Sequence, residues 1–257
     1  MTADAAVSFR QRLARGELLT GTLVTLPSPE VVECLVDAGY QWLFLDMEHG
    51  AFDYAVAADL LRAAGPIPCL IRLPAQGDVY VKKALDIGAA GIIVPLVNTA
   101  AEAAQAVRSA KYSPLGARGV GIARAHRYGY GFADYLARAN DETVVMVQAE
   151  HIEAVRNIAE IVRVPGVDGI FVGPYDLSAS MGRMGQVGAP EVRAEIERVR
   201  QAALGAGLRL GYFGVSAEAV LPAVAEGYTL LAVGSDTLFL SGAASACRRL
   251  FPAAAAQ

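Results

Sequence analysis

Eight short apolar runs, most followed by an amphipathic stretch, recur along the chain, and no other feature restricts its fold as much. The runs are Thr20–Leu26, Trp42–Met47, Cys69–Leu73, Gly91–Val97, Val144–Ala149, Gly169–Val172, Arg209–Phe213 and Leu230–Val233. They are short, rich in Val, Ile, Leu and Phe, and bounded by Gly, Pro or Asp, which marks strands. Between most of them lie stretches with apolar residues three and four apart, which predict helices. These are Glu30–Ala38, Val79–Ile87, Ala100–Ala110, Ile152–Val162, Val192–Leu204, Glu218–Ala225 and Thr237–Leu250. Strands alternating with helices predict a parallel sheet, and eight of them match a closed barrel. The rival is a doubly wound open sheet, which usually has a Gly-rich first turn for nucleotide phosphates; here that turn is Leu26-Pro27-Ser28-Pro29. The chain has 257 residues, and barrels of about 250 residues form one unit. The expected fold is therefore α/β, a single (β/α)8 TIM barrel over residues 1–257. The longest irregular stretch is Tyr112–Tyr130, and loops of that length in a compact domain usually serve function.

Hydrophobic residues make up 54% of the chain and charged residues 19%. That share predicts a large core and apolar surface buried between subunits, hence a homo-oligomer. The final helix Thr237–Leu250, small and apolar along much of its length, is the expected contact with a neighbouring subunit. A net charge of −4 with scattered arginines favours neither nucleic acid nor an anionic membrane. Cys34, Cys69 and Cys247 are far apart and share no metal-ligand spacing, as in a cytoplasmic protein with free thiols. The longest uncharged stretch, Ile87–Ala101, contains Pro and Asn and falls short of the ~18 apolar residues of a membrane span. The N-terminus lacks the basic-then-apolar order of a secretory signal.

A barrel places its active site at the carboxyl ends of the strands. Strand 2 closes with Asp46-Met47-Glu48-His49-Gly50, strand 3 with Arg72-Leu73-Pro74, strand 5 with Gln148-Ala149-Glu150 and strand 6 with Gly173-Pro174-Tyr175-Asp176. A lone Asp after a strand is more often a helix cap than a ligand, and a lone Arg more often a surface ion pair. Four strands that deliver acids, a His and an Arg to one rim are harder to explain that way. Glu150 and Asp176 form the best metal pair, since two carboxylates without Cys or His-x-x-x-His suit Mg²⁺ or Mn²⁺, with Co²⁺ as a substitute. The structural alternatives are a helix cap for Asp176 and a salt bridge from Glu150 to Arg156. The only lysines, Lys82, Lys83 and Lys111, close no strand, which removes a Schiff-base route. An enolate formed here would depend on metal and Arg72. His49 is the natural acid/base, and Asp46 is placed to hold its ring in one tautomer. His151 reads as structural, and His126, in the long loop, reads equally well as structural or functional.

At these residues the chain resembles the HpcH/HpaI aldolase family of class II, pyruvate-dependent aldolases, nearly end to end. The resemblance is carried by Ala38-Gly39-Tyr40-Gln41-Trp42, Asp46-Met47-Glu48-His49, Leu85-Asp86-Ile87-Gly88-Ala89 and Val94-Pro95-Leu96-Val97. Arg118-Gly119-Val120-Gly121, Gln148-Ala149-Glu150 and Val172-Gly173-Pro174-Tyr175-Asp176-Leu177-Ser178 extend it. It implies a (β/α)8 barrel, usually a hexamer in which the last helix packs on a neighbouring subunit. It implies a divalent metal on Glu150 and Asp176, and an Arg72 that polarises the oxo group and stabilises the enolate. It further implies that His49 and Asp46 handle protons, that Gln148 lines the pocket, and that backbone amides around Gly173, Pro174, Tyr175 and Asp176 hold the substrate carboxylate. The implied reaction is reversible cleavage of a 4-hydroxy-2-oxo acid to pyruvate and an aldehyde. A second reading keeps the enolate step but uses oxaloacetate, as in a citrate synthase of siderophore pathways or a Diels–Alder-type synthase. A third is a non-catalytic oxo-acid-binding protein, against which the intact charged set argues.

The sequence departs from the family pattern in four places. Gly50-Ala51-Phe52 follows the His where a Pro is often found. Tyr175 stands where Ala is usual and is expected to shape the second-substrate pocket. Gly211-Tyr212-Phe213-Gly214 is bulky, and Ala125-His126-Arg127-Tyr128-Gly129 adds a His.

Overall fold

The computed structural model describes residues 7–251, so both ends of the expected 1–257 domain lie outside the described residues. Eight strands close a parallel barrel in chain order: β1 (Leu19–Val24), β2 (Trp42–Asp46), β3 (Cys69–Arg72), β4 (Gly91–Val94), β5 (Val144–Ala149), β6 (Gly169–Val172), β7 (Arg209–Gly214) and β8 (Leu230–Ser235). All eight coincide with the apolar runs of the sequence. The helices are α1 (Phe9–Ala14), α2 (Pro29–Asp37), α3 (Tyr54–Ala63), α4 (Asp78–Asp86), α5 (Ala100–Ala110) and α6 (Phe132–Glu142). They continue with α7 (Ile152–Arg156), α8 (Ile158–Ile161), α9 (Pro174–Ser180), α10 (Pro190–Gly205), α11 (Ala217–Ala225) and α12 (Asp236–Arg249).

Three features differ from the sequence expectation. The continuous helix expected over Ile152–Val162 is two helices, because Asn157, with φ −98° and ψ 7°, interrupts the helical backbone between α7 and α8. Helices α1, α3, α6 and α9 add to the expected set. Of these, α3 begins at Asp53, whose carboxylate accepts from the amides of Ala55 and Val56 at 2.9 and 3.0 Å, a cap that satisfies otherwise orphaned donors. The stretch Tyr112–Tyr130 is irregular except for 3-10 turns over Arg124–Gly129, where Arg127 and Tyr128 adopt φ of 56° and 55°.

Alternation along each strand sorts side chains into two cores. One set faces the barrel axis: Leu19, Trp42, Phe44, Leu70, Ile93, Val144, Met146, Phe171, Leu230 and Ala232, closed below by Leu13 of α1. The other set, including Leu43, Leu45, Ile71, Val145, Val147 and Ile170, packs against the helices. Trp42 fits inside because its neighbour across the ladder is Gly21: a Cβ there would sit 2.6 Å from the indole. Burying each large side chain of this interior contributes about 2–3 kcal/mol. The same parity carries upward. Trp42 and Phe44 face inward, so Asp46 does; Leu70 faces inward, so Arg72 does; Val144 and Met146 face inward, so Gln148 does. The barrel interior thus turns from apolar to charged at its carboxyl-terminal rim.

Candidate active site

A cavity of about 340 Å³ opens at that rim, within the size range of small-ligand sites. Its lining includes Asp46, His49, Arg72, Gln148, Gly173, Pro174, Tyr175 and Asp176. Larger clefts of about 520 and 500 Å³ lie against α10 and α11, and beside α1 and α6; neither holds any of these residues. The rim residues singled out in the sequence therefore converge on one cavity, except Glu150, which does not line it and is joined to it through Gln148.

Ladder register explains the first pair. Asp46 and Arg72 are direct partners on β2 and β3. The guanidinium donates from Nε to Asp46 Oδ1 at 2.9 Å and from Nη2 to Oδ2 at 2.7 Å, the bidentate geometry that arginine alone offers. Arg72 Nε also lies 3.3 Å from Glu48 Oε2, and the guanidinium sits 5.3 Å from the Phe44 ring centre. Burial opposes the Arg72 charge, but Asp46, Glu48 and Glu150 outweigh it and hold the group above its ordinary pKa.

Asp46 does not serve the ring of His49, the role expected of it from spacing. Its carboxylate is taken by Arg72, and its Oδ1 also accepts the backbone amides of Glu48 and His49 at 3.1 and 3.3 Å. A carboxylate one turn before a His at a strand end reaches the turn's own backbone more readily than the ring. Asp46 therefore positions His49 through the main chain. The His49 side chain is 66% exposed, with Nε2 3.9 Å from Glu48 Oε2.

Glu150 is buried, 3% exposed. Its Oε1 accepts the amide of Leu96 at 2.7 Å, and its Oε2 accepts from Gln148 Nε2. The alternative partner Arg156 is paired with Glu153 instead. Leu96 presents its amide from a φ of 53°, a backbone state a non-glycine residue adopts at a cost of order 1 kcal/mol. Gly173 is required opposite. A Cβ there would stand 2.8 Å from Glu150 Cβ, 3.0 Å from its Oε2 and 3.1 Å from Gln148 Nε2. Burial pushes the Glu150 carboxyl up to about 7; the Leu96 amide opposes this, and the carboxylates of Glu48 and Asp176 add to it. Glu48 is also raised, chiefly by burial, against the pull of Arg72 and His49.

Asp176 stands in the first turn of α9, whose cap position is Gly173, so it is not the helix cap that a lone Asp suggests. Glu150 and Glu48 are both held above the ordinary carboxylate range, chiefly by burial and in part by neighbouring acids, a surplus of acid that calls for a cation. Two further observations fit one: Glu48 Oε2 and Gln148 Oε1 are buried without a hydrogen-bond partner among the described residues. The donors are hard oxygens, which suits a Mg²⁺-like ion. Among the described residues no group of three or more His, Cys, Asp or Glu has metal-binding geometry. The Glu150–Asp176 pair would therefore be completed by oxygens from outside the chain.

The amides expected around Gly173–Asp176 are fewer than the motif suggests. The Gly173 N–H donates to Ala149 O at 3.2 Å, and Pro174 has none, leaving those of Tyr175 and Asp176. Tyr175 lines the cavity and is 48% exposed. His151 caps α7, its Nδ1 accepting from Glu153 at 3.1 Å. His126 is buried in the long loop, with Nδ1 accepting from the Gly129 amide at 3.1 Å and Nε2 2.6 Å from Gly121 O, so both ring nitrogens are engaged within that loop.

Two contributors lay unassigned in the sequence. Glu48 sits inside the Asp46-Met47-Glu48-His49 motif, and nothing in the sequence separates it from an ordinary surface carboxylate. The Leu96 amide has no side-chain signature, although Pro95 before it marks a turn.

The family model described as HpcH/HpaI aldolase/citrate lyase matches residues 20–243. A hydroxypyruvate/pyruvate aldolase of Pseudomonas aeruginosa is 42% identical over 243 residues, covering 90% of this chain and 88% of its own. A 4-hydroxy-2-oxo-heptane-1,7-dioate aldolase of Shigella sonnei is 38% identical, covering 96% of each chain. The crystal structure of an HpcH/HpaI aldolase/citrate lyase family protein from Burkholderia cenocepacia superposes with a TM-score of 0.89 at 37% identity, over 94% of this chain and 97% of the other.

Proposed function

Since the chain belongs to the HpcH/HpaI aldolase/citrate lyase family, we propose that its rim cavity performs reversible aldol cleavage of a 4-hydroxy-2-oxo acid to pyruvate, or a related 2-oxo acid, and an aldehyde. The protein is a carbon–carbon lyase, as its aldolase relatives are named. The observation that carries the reading is that Arg72 and Asp176 line one cavity, with Glu48 Oε2 3.3 Å from Arg72 Nε and Glu150 close enough to feel the charges of Arg72, Glu48 and Asp176. It is the equipment for binding an anionic oxo acid and stabilising negative charge on its oxo oxygen.

Glu150 and Asp176 would hold a divalent ion, Mg²⁺ or Mn²⁺ with Co²⁺ able to replace them, and such an ion supplies Lewis-acid polarisation of the oxo group. Gln148 donates to Glu150 and so fixes the carboxylate's orientation, as outer partners of metal ligands do. Arg72, anchored through Nε and Nη2, directs its remaining donors at the oxo oxygen and stabilises the enolate. The amides of Tyr175 and Asp176 receive the substrate carboxylate, with Gly173 and Pro174 setting the approach. His49 exchanges a proton with the 4-hydroxyl or with the enolate carbon, and Asp46 holds the turn that carries it. No lysine lines the cavity, which supports a route without a Schiff base. Both named relatives above are aldolases, which favours cleavage to an aldehyde over a citrate-synthase-like use of the same enolate.

The active form is proposed to be a homo-oligomer, a hexamer, with α12 packed on a neighbouring subunit, in the cytoplasm. No described helix is long and apolar enough to cross a membrane.

Chelation followed by add-back tests the mechanism. Exhaustive chelation abolishes pyruvate release from 4-hydroxy-2-oxo acids, and Mg²⁺, Mn²⁺ or Co²⁺ restores it; borohydride with pyruvate leaves the protein unmodified. Full activity after chelation, or a lysine trapped by borohydride, overturns it.

A further inference from the structure

The cavity is divided by charge. Its charged and titratable side chains other than Tyr175, namely Asp46, His49, Arg72 and Asp176, come from the ends of β2, β3 and β6. The contiguous arc β7–β8–β1 contributes Leu23, Phe213 and the hydroxyls of Thr25, Ser235 and Thr237. The floor is Phe44 and Phe171, whose rings meet edge to face with centres 5.3 Å apart. Asp236, the acid at the end of β8, does not line the cavity. It accepts from the amides of Thr25, Leu26 and Thr237 at 2.8, 2.7 and 2.7 Å and from Thr25 Oγ1 at 2.8 Å, so its lone pairs are taken up within the fold. Arg72 is the only Lys or Arg among the lining residues, and Asp46 and Glu48 already engage it.

Along the arc Leu23, Thr25 and Phe213 are half-buried and Ser235 is buried, with Thr237 at the open edge; a carboxylate drawn onto it would give up part of its water with no cation to meet it, which is costly. An apolar chain placed there loses nothing and covers aromatic surface. Resting on the enolate reading above, we propose that this arc is the acceptor subsite and that it selects uncharged aldehydes over those ending in a carboxylate. The bond it serves forms between the pyruvate methyl carbon and the aldehyde carbon. The methyl carbon gives up one proton and the aldehyde oxygen takes one up, so the addition needs no oxidant or reductant. The Ser235 and Thr237 hydroxyls, 2.9 Å apart, offer neutral hydrogen bonds to a polar but uncharged acceptor.

Butanal and 4-oxobutanoate have the same carbon count and differ in ending as a methyl or a carboxylate. With pyruvate and the Mn²⁺-loaded enzyme, kcat/KM for butanal exceeds that for 4-oxobutanoate by about tenfold or more. In Thr237→Arg, which puts a cation on the arc at an exposed position, that ratio falls by about tenfold. Equal use of both aldehydes, turnover of neither, or an unmoved ratio in a folded Thr237→Arg overturns the proposal. The preference of the unaltered enzyme decides alone if the variant fails to fold. Exchange of pyruvate methyl protons with deuterated water, measured in the same samples, separates the two readings. Exchange without the aldehyde preference sinks only the acceptor assignment. Absence of exchange sinks the enolate reading and the assignment with it.

Discussion

Arg72 is held by Asp46 through two nitrogens, and the proposed reaction asks it to meet a substrate oxygen as well; only a planar guanidinium has donors for both. Arg72→Lys keeps the charge and loses the fork. Steady-state kinetics should show turnover reduced by about 10²–10³-fold, the usual loss for one oxyanion donor, with the far-ultraviolet spectrum unchanged. A rate near the unaltered enzyme's would place Arg72 outside the reaction. Glu150 gives a pH prediction of definite sign. Its carboxyl is pushed up to about 7 by burial, so between about 4.5 and 7 the metal-free folded protein keeps a proton that the unfolded chain has lost. A raised acid pKa contributes stability at low pH that is lost as pH rises through 7. A cation must displace that proton, so calorimetric Mn²⁺ affinity should rise about tenfold per pH unit from 5.5 to 7 and level off above. A flat profile would show that Glu150 is not a ligand. Both residues were legible in the sequence because each closes a strand. The bond from Asp46 to the His49 backbone was not, since spacing says that two residues are near but not which atom wins.

Elements are joined at the rim by single buried acids. Asp236, 4% exposed, ties the end of β1 to the start of α12 by accepting from Thr25, Leu26 and Thr237. Asp236→Ala strands the Thr25 and Leu26 amides just after β1 without partners, and each bond to a buried charge contributes about 1.5–3 kcal/mol. Urea unfolding should show a loss of about 3 kcal/mol with an unchanged m-value; a loss below about 1 kcal/mol would mean that the rim relaxes freely around it. Strand existence was legible here because runs such as Val144–Ala149 are apolar on both faces, which only a sheet covered on both sides requires. Helix continuity was less so. Asn157 breaks Ile152–Val162 although the apolar spacing continues through it, and periodicity cannot register one backbone angle.

The whole molecule leaves its last helix uncovered. In α12 only Asp236 is buried, while Leu238, Phe239 and Leu240 are 41%, 38% and 64% exposed. Exposed apolar side chains of this kind are what the proposed subunit contact would cover. Sedimentation velocity at micromolar concentration should report a homo-oligomer, with six chains as the proposed count, and Leu240→Glu should shift it to smaller species. A monomeric mass for the unaltered protein would contradict the assembly.

Period and composition alone determined the architecture. Eight apolar runs, most followed by a helical stretch, predict a parallel sheet, and their number together with a first turn lacking Gly favours a closed barrel over the doubly wound alternative. The rim motif also fixed which side chains share a face, because strand parity is a local property. Tertiary structure decided what those side chains touch: Arg72 on Asp46, Glu150 on the Leu96 amide 54 positions away, Gly173 yielding space to Glu150. It also decided where the cavity lining carries no charge, along its β7–β8–β1 side, since that side forms only once the barrel closes and brings β8 beside β1. Local sequence sets direction and polarity. Contact, burial and therefore pKa depend on partners supplied by distant parts of the chain.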